Sequence, residues 1–365
     1  MKTNPFKFGS IVDEPYFTDR IHEMEQVKSI VSSQNHLIII SPRRFGKSSL
    51  IMKVANQLNR PVIALDMQLV TGTNDLAAQL LKRIYRIFPF EKVRQFVQHF
   101  RIIPTITHNP VNNQVEVAFL PDSSHLPILE DVLNLMEKLS SNKKKLLIIF
   151  DEFQEIKRIS PDLIFQLRAI IQHHKQLNYI FLGSQESLIK EIFEKKKSPF
   201  YHFGMILQLG KIPMTDFLEY LETRLEPVTE NALVTAREII DYTGCHPYYT
   251  QQLAFVVWDK CNQTSFIENP VSEGADDLIA MHDIDYERWW MALNKTDKKF
   301  LIGLSISGNS PLSESFYRKH DIGASSTAFS SLKRLMENGY INKAGNKYEI
   351  DDPFFCQWLK QRREM

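Results

Sequence analysis

Leu37-Ile38-Ile39-Ile40-Ser41-Pro42-Arg43-Arg44-Phe45-Gly46-Lys47-Ser48-Ser49 is the stretch whose reading decides the fold. Four apolar residues of strand propensity run straight into a loop that ends Gly-Lys-Ser and continues as Leu50-Ile51-Met52-Lys53-Val54, a helix-compatible pattern. Strand, loop and helix in that order fit the phosphate-binding loop, Gly-x4-Gly-Lys-Ser/Thr, except that Ser41 stands where the first Gly is expected. Gly46 lets backbone N–H groups approach phosphate oxygens with no Cβ in the way. Lys47 brings a compact charge for the β- and γ-phosphates, and the Ser48 hydroxyl can ligate Mg²⁺. The helix N-terminus adds its own partial positive charge. Ser41 replaces no ligand, so ATP or ADP with Mg²⁺ is the expected occupant.

A second signal lies at Leu146-Leu147-Ile148-Ile149-Phe150-Asp151-Glu152-Phe153-Gln154-Glu155. A continuous apolar run closed by two acids describes a central parallel strand with carboxylates at its C-terminal end, where α/β sheets bind ligands. Asp151 is then the expected Mg²⁺-shell aspartate, and Glu152 the group that polarises the attacking water. A third strand, Tyr179-Ile180-Phe181-Leu182-Gly183, ends in Ser184-Gln185, either of which could reach the γ-phosphate or the water. A plain strand-end hydroxyl is the alternative reading of Ser184.

Composition narrows the rest. The chain has 365 residues and a net charge of +1, so length predicts two or three domains and charge gives no global drive toward nucleic acid or membrane. No segment has the run of roughly 18–20 uncharged apolar residues that spans a bilayer. The N-terminus, Met1-Lys2-Thr3-Asn4-Pro5-Phe6, lacks a signal-peptide core. Three widely spaced cysteines, Cys245, Cys261 and Cys356, show no metal-ligand spacing and read as reduced thiols in the cytoplasm.

Periodicity orders the chain. A helix is predicted from Arg20 to Val31, strands at 37–40 and 61–66, and helices at 47–59 and 74–88, a βαβα alternation that implies a parallel sheet with helices on both faces. Residues 91–127 interrupt it with a helix at 91–97, a turn at Thr107-His108-Asn109-Pro110 and a strand at 115–119, read as an insertion on the sheet rim. Helices at 127–139 and 161–174 and strands at 145–150 (after Lys143-Lys144-Lys145) and 179–183 complete a core spanning 1–212. Helical patterns at 214–225, 231–243 and 247–262 suggest a small lid. Asn269-Pro270 and Gly274 mark 264–280 as a polar connector, closing a second domain over 213–280. In 281–365, three short helices with Thr296, Ser313 and Ser325 or Ser326 as caps precede a hairpin built on Gly345-Asn346-Lys347, the outline of a winged helix.

These segments resemble the archaeal-type P-loop ATPases of the STAND/AAA+ superfamily over nearly the whole chain. Pro42-Arg43-Arg44-Phe45-Gly46-Lys47-Ser48-Ser49-Leu50 resembles that family's loop, whose Arg pair is more specific than the generic pattern. Asp151-Glu152-Phe153-Gln154-Glu155 resembles its Walker B, and Gly183-Ser184 falls at its sensor position. Tyr16-Phe17 with Arg20 and Glu23-Met24-Glu25 is similar to its N-terminal motif, and Asp352-Pro353-Phe354-Phe355 to its closing segment. Thr243-Gly244-Cys245-His246-Pro247-Tyr248-Tyr249 resembles the lid motif, which implies that His246 and Pro247 face the nucleotide. The residues alone also allow a helix C-cap at Gly244 and a helix start at His246-Pro247. Pro199-Phe200-Tyr201-His202-Phe203-Gly204-Met205 departs from the family in lacking an Arg after the Gly, which implies slow turnover unless Arg43 or Arg44 substitutes.

The resemblance implies an ATPase switch whose nucleotide state moves the lid and winged helix. A nucleotide-regulated DNA-binding protein is the alternative. Its expected recognition helix, Ser325 to Asn338, carries Lys333 and Arg334, its wing Lys343 and Lys347, and Asp351-Asp352 follow. That sparse charge favours a protein partner over DNA.

Overall fold

The computed structural model describes residues 2–18, 20–109, 114–120, 125–141, 145–264, 267–307, 310–344 and 347–362. Pro110, the basic Lys143-Lys144 and Gly345-Asn346 lie outside them. The chain divides into two compact units, one of residues 20–42 and 47–209, the other of the N-terminal segment, 43–46 and 210 onward.

The first unit is built on a five-stranded parallel sheet of order β2-β5-β6-β1-β7. Its strands are β1 (Leu37–Ile40), β2 (Val62–Asp66), β5 (Leu146–Asp151), β6 (Leu177–Gly183) and β7 (Met205–Gln208). β1 and β6 are buried along their whole length, and β5 up to its terminal Asp151, which is why β1, β5 and β6 from Tyr179 on read as apolar runs rather than alternations. β2 alternates because it is an edge. β7, the other edge, is not among the strands predicted above; Met205 pairs in parallel with Leu37. Gly204 is required there by close approach, since a Cβ would lie 2.7 Å from the His36 carbonyl. Phe150, Phe153, Phe181, Phe193 and Phe200 are fully buried against one another beside β5 and β6. Burying each of these rings contributes about 1.5–3 kcal/mol.

The rim insertion is a helix, Phe90–Val97, and an antiparallel ladder of β3 (Thr105–Asn109) and β4 (Gln114–Ala118). Residues 107–109, expected as a turn, therefore belong to a strand. Opposite the strands' C-terminal ends, Arg60 donates to the Val31 and Lys145 carbonyls (2.5 and 2.7 Å) and to Asn178 Oδ1 (2.7 Å), tying three elements together. Burial lowers its pKa to about 10, leaving it charged at neutral pH.

The second unit is mainly helical. Helices Met214–Leu225, Ala232–Thr243 and Pro247–Gln263 follow the predicted pattern. The predicted connector is instead the start of a 23-residue helix, Pro270–Ala292. Pro270 sits at its first turn, where no N–H is needed, and Gly274 makes room for the helix against Val257, whose Cγ2 would be 3.2 Å from a Cβ. The winged-helix elements are Lys295–Ser307, Glu314–Lys319, Ser325–Glu337, the hairpin of β8 (Ile341–Ala344) and β9 (Lys347–Ile350), and Pro353–Gln361. Of the expected caps, Ser313 bonds the Phe316 amide, while Asn294 rather than Thr296 receives the Asp297 amide and no side chain caps Ser325–Glu337. Trp289 packs on Phe355 and Trp290 on Trp358, joining the long helix to the terminal one.

Candidate functional site

The C-terminal ends of β1, β5 and β6 carry the candidate residues of the sheet unit. Ser41 follows β1 with its amide bonded to the Gly183 carbonyl (3.2 Å). It keeps an ordinary negative φ, so a Cβ is tolerated where the phosphate-loop pattern has Gly. Lys47 is buried at the start of its helix and donates to the carbonyls of Ser41 and Pro42 (both 3.1 Å). Its ammonium thus rests on the loop's own backbone, a place from which phosphate oxygens can draw it.

Ser48 Oγ donates to Asp151 Oδ2 at 3.0 Å, joining the loop to the end of β5. Ser49 opens the same helix. Burial pushes the Asp151 carboxyl above its ordinary value, against the opposing pull of Ser48, the Glu152 amide and Lys47. A hydroxyl and an under-compensated carboxylate in contact are two hard oxygen ligands of the kind Mg²⁺ takes alongside phosphate and water. Next in the chain, Glu152 is in the left-handed region (φ 49°). Its Oε2 accepts from Ser184 Oγ at 2.6 Å and from Gln154 Nε2 at 2.5 Å. Two of the predicted residues, Glu152 and Ser184, are therefore in direct contact. Gln154, two positions after Glu152, shares this contact although motif reading passed over it.

The remaining candidates belong to the helical unit. Arg43 is exposed. Arg44 (φ 65°) donates to Tyr249 Oη at 3.0 Å, with its guanidinium 4.6 Å from the Tyr248 ring centroid. Gly46 has φ 87°, which other residues rarely adopt; no atom lies within 4 Å of an added Cβ, so the demand is conformational. Phe45 meets the His246 ring edge-on at 4.7 Å. His246 is the N-cap of Pro247–Gln263: its Nδ1 accepts from the Tyr248 and Tyr249 amides (3.2 and 3.5 Å). Pro247 occupies the first turn, and Gly244 (φ 59°) closes the preceding helix. Each local reading of that motif is realised. With Nδ1 accepting, the proton belongs on Nε2, which lies 3.5 Å from Asp351 Oδ1 without a hydrogen bond.

On the winged helix, Arg334 is engaged by buried Asp297 through Nε and Nη2 (2.7 and 2.6 Å). Lys333 is exposed, 3.9 Å from Glu337. Among the described residues no group of three or more His, Cys, Asp or Glu side chains could hold a metal, and no helix is long and apolar enough to cross a membrane.

Comparison with known proteins identifies both parts of the chain. Residues 17–253 match the family described as "ATPase domain predominantly from Archaea", and residues 284–361 match "Probable winged helix domain". No curated protein sequence matches. Among solved structures, the Walker-type ATPase PABY2304 of Pyrococcus abyssi superposes with a TM-score of 0.70 at 17% identity, covering 98% of this chain and 99% of that one. The ORC2 protein of Aeropyrum pernix, solved as ADPNP–ADP complexes, gives 0.57 at 15% identity over 98% and 99%. At such identities the likeness is one of fold: a P-loop sheet followed by a winged helix.

Proposed function

Because this chain belongs to the family of ATPase domains found predominantly in Archaea, we propose that it is a Mg²⁺-dependent, slowly hydrolysing ATP switch. In this reading 1–212 is the ATPase core, 213–280 acts as a helical lid and 281–365 carries the output. The observation that carries it is the pair of contacts at the ends of β5 and β6: Ser48 with Asp151, and Ser184 with Glu152. Ser48 and Asp151 would hold Mg²⁺, which when bound neutralises charge developing on the phosphates. Lys47 leaves the Ser41 and Pro42 carbonyls for the β- and γ-phosphate oxygens. Glu152 accepts the proton of the attacking water, and Ser184 keeps its carboxylate turned toward that water.

Slow turnover is expected in this reading because Met205 follows Gly204, where the family resemblance implies an Arg in many relatives. Arg44 is engaged by two tyrosines, which leaves exposed Arg43 as the candidate substitute. His246 and Pro247 contribute to nucleotide binding in the same reading. The output is protein contact rather than DNA, since Arg334 is engaged by Asp297 and the exposed face of Ser325–Glu337 offers Ser325, Ser326, Ser330 and Phe329, with Lys333, 3.9 Å from Glu337, as its other cation. Three free thiols suit the cytoplasm.

The test is a thermal shift with MgATP on nucleotide-free protein. Ligand at about 100 times its Kd should add about 2.7 kcal/mol, and Lys47→Ala should abolish the shift. Absence of any shift in the wild type would overturn the reading.

A further inference from the structure

The contact that the proposed chemistry leaves unexplained is that of Gln154 with Glu152. We propose that Gln154 is a positioning residue for ATP hydrolysis, holding one carboxylate oxygen of Glu152 so that the other is presented to the attacking water. The proposal rests on the hydrolase reading above.

Three observations carry it. Gln154 Nε2 and Ser184 Oγ, from different elements, donate to the same Oε2 of Glu152 (2.5 and 2.6 Å). Two donors on one oxygen fix the carboxylate plane and leave Oε1 as its free acceptor. Second, Gln154 is buried and its own Oε1 has no hydrogen-bond partner. Leu or Met would fill that space without a stranded acceptor, so packing does not account for the amide, whereas its N–H does. The amide cannot usefully flip, because that would set oxygen against the Glu152 carboxylate. Third, the backbone is arranged for the contact. Glu152 enters the tight turn Phe153–Glu155 from a left-handed conformation, which brings a side chain two residues on back to its own carboxylate. Gly183 leaves the space open: a Cβ there would stand 2.9 Å from Gln154 Oε1.

Removing the Gln154 donor should free the Glu152 carboxylate to turn away from the water while leaving the contacts of Lys47 and Asp151 in place.

The experiment is steady-state ATP hydrolysis by the full chain, comparing wild type with Gln154→Met, which keeps volume and lacks the donor. Expected are a fall in kcat of about tenfold and an unchanged KM for MgATP. Should the methionine variant not fold, Gln154→Glu retains the shape and sets a second carboxyl against Glu152 in place of the donor, and the same fall in kcat at unchanged KM is expected. A kcat like that of the wild type in whichever variant folds overturns the proposal. So does a joint change of kcat and KM, which marks a packing role. A wild type that binds MgATP without hydrolysing it defeats the hydrolase reading and this assignment with it, while hydrolysis insensitive to Gln154 defeats the assignment alone.

Discussion

Arg334 and Lys333 are neighbours in sequence on the helix that would enter a DNA groove, and the structure gives them opposite fates. Asp297 is almost fully buried and receives Arg334 at 2.7 and 2.6 Å, Asn294 Nδ2 at 2.7 Å and Ser331 Oγ at 2.5 Å. Arg334→Ala deletes two charge-assisted bonds, each worth about 1.5–3 kcal/mol. Two effects reduce the sum: Arg334 is 44% exposed, so its removal admits water to Asp297, and the Asn and Ser donors remain. A loss of about 1.5–3 kcal/mol is left. Lys333 is 67% exposed and 3.9 Å from Glu337, so Lys333→Ala should cost no more than about 0.5 kcal/mol. The assay is urea unfolding followed by tryptophan fluorescence, with Trp289, Trp290 and Trp358 packed in the same region. Salt-dependent duplex binding is measured in parallel on each variant. If Arg334→Ala leaves the unfolding midpoint in place while both variants flatten the salt slope by about one unit, the helix binds DNA and the structural assignment of Arg334 is wrong.

Three further outcomes follow from the site. Glu152→Gln should preserve the MgATP thermal shift and lower hydrolysis by about 10²–10⁴-fold, as loss of a general base does; a parental rate would move that role to another residue. His246→Ala removes a helix cap and should lower stability by about 1 kcal/mol, read as a drop in melting temperature; loss of the MgATP shift as well would make His246 a nucleotide ligand. Burial holds the Asp352 carboxyl above its ordinary value despite the Phe354 and Phe355 amides and Tyr286 that bond it. A carboxyl raised in the folded state gives stability that is complete below its unfolded pKa of about 3.9 and disappears as pH rises through the folded value. Asp352→Asn should therefore flatten the pH dependence of unfolding above that point, and its stability relative to wild type should grow with pH; a constant difference would exclude the effect.

The sheet was readable in the sequence where both faces of a strand are covered, because burial writes an apolar run at 146–150 and at 179–182. It was not readable at β7, where four residues on an edge carry no such run, and whose register depends on the close approach of Gly204 to His36. Residues 270–280 misled for a related reason. Pro and Gly break helices in general, but at a first turn and at a tight helix–helix contact they are accommodated. Within the site, the identities of Lys47, Ser48, Asp151 and Glu152 follow from motif spacing. The role of Gln154 does not, because it depends on the left-handed backbone of Glu152, which no spacing rule encodes. Likewise the spacing of Lys333 and Arg334 says nothing of Asp297, a partner from another helix.

Gly183 has a consequence for how this protein can change over generations. A methyl group there would fall 2.1 Å from Ile189 Cγ1 as well as 2.9 Å from the Gln154 amide oxygen. Any larger residue at 183 thus needs a smaller one at 189 and a different one at 154, and each of those alone leaves a void or a loosened carboxylate. Positions 154, 183 and 189 form a set that drifts together or not at all, so a lineage that escapes this arrangement should show paired replacements rather than single ones.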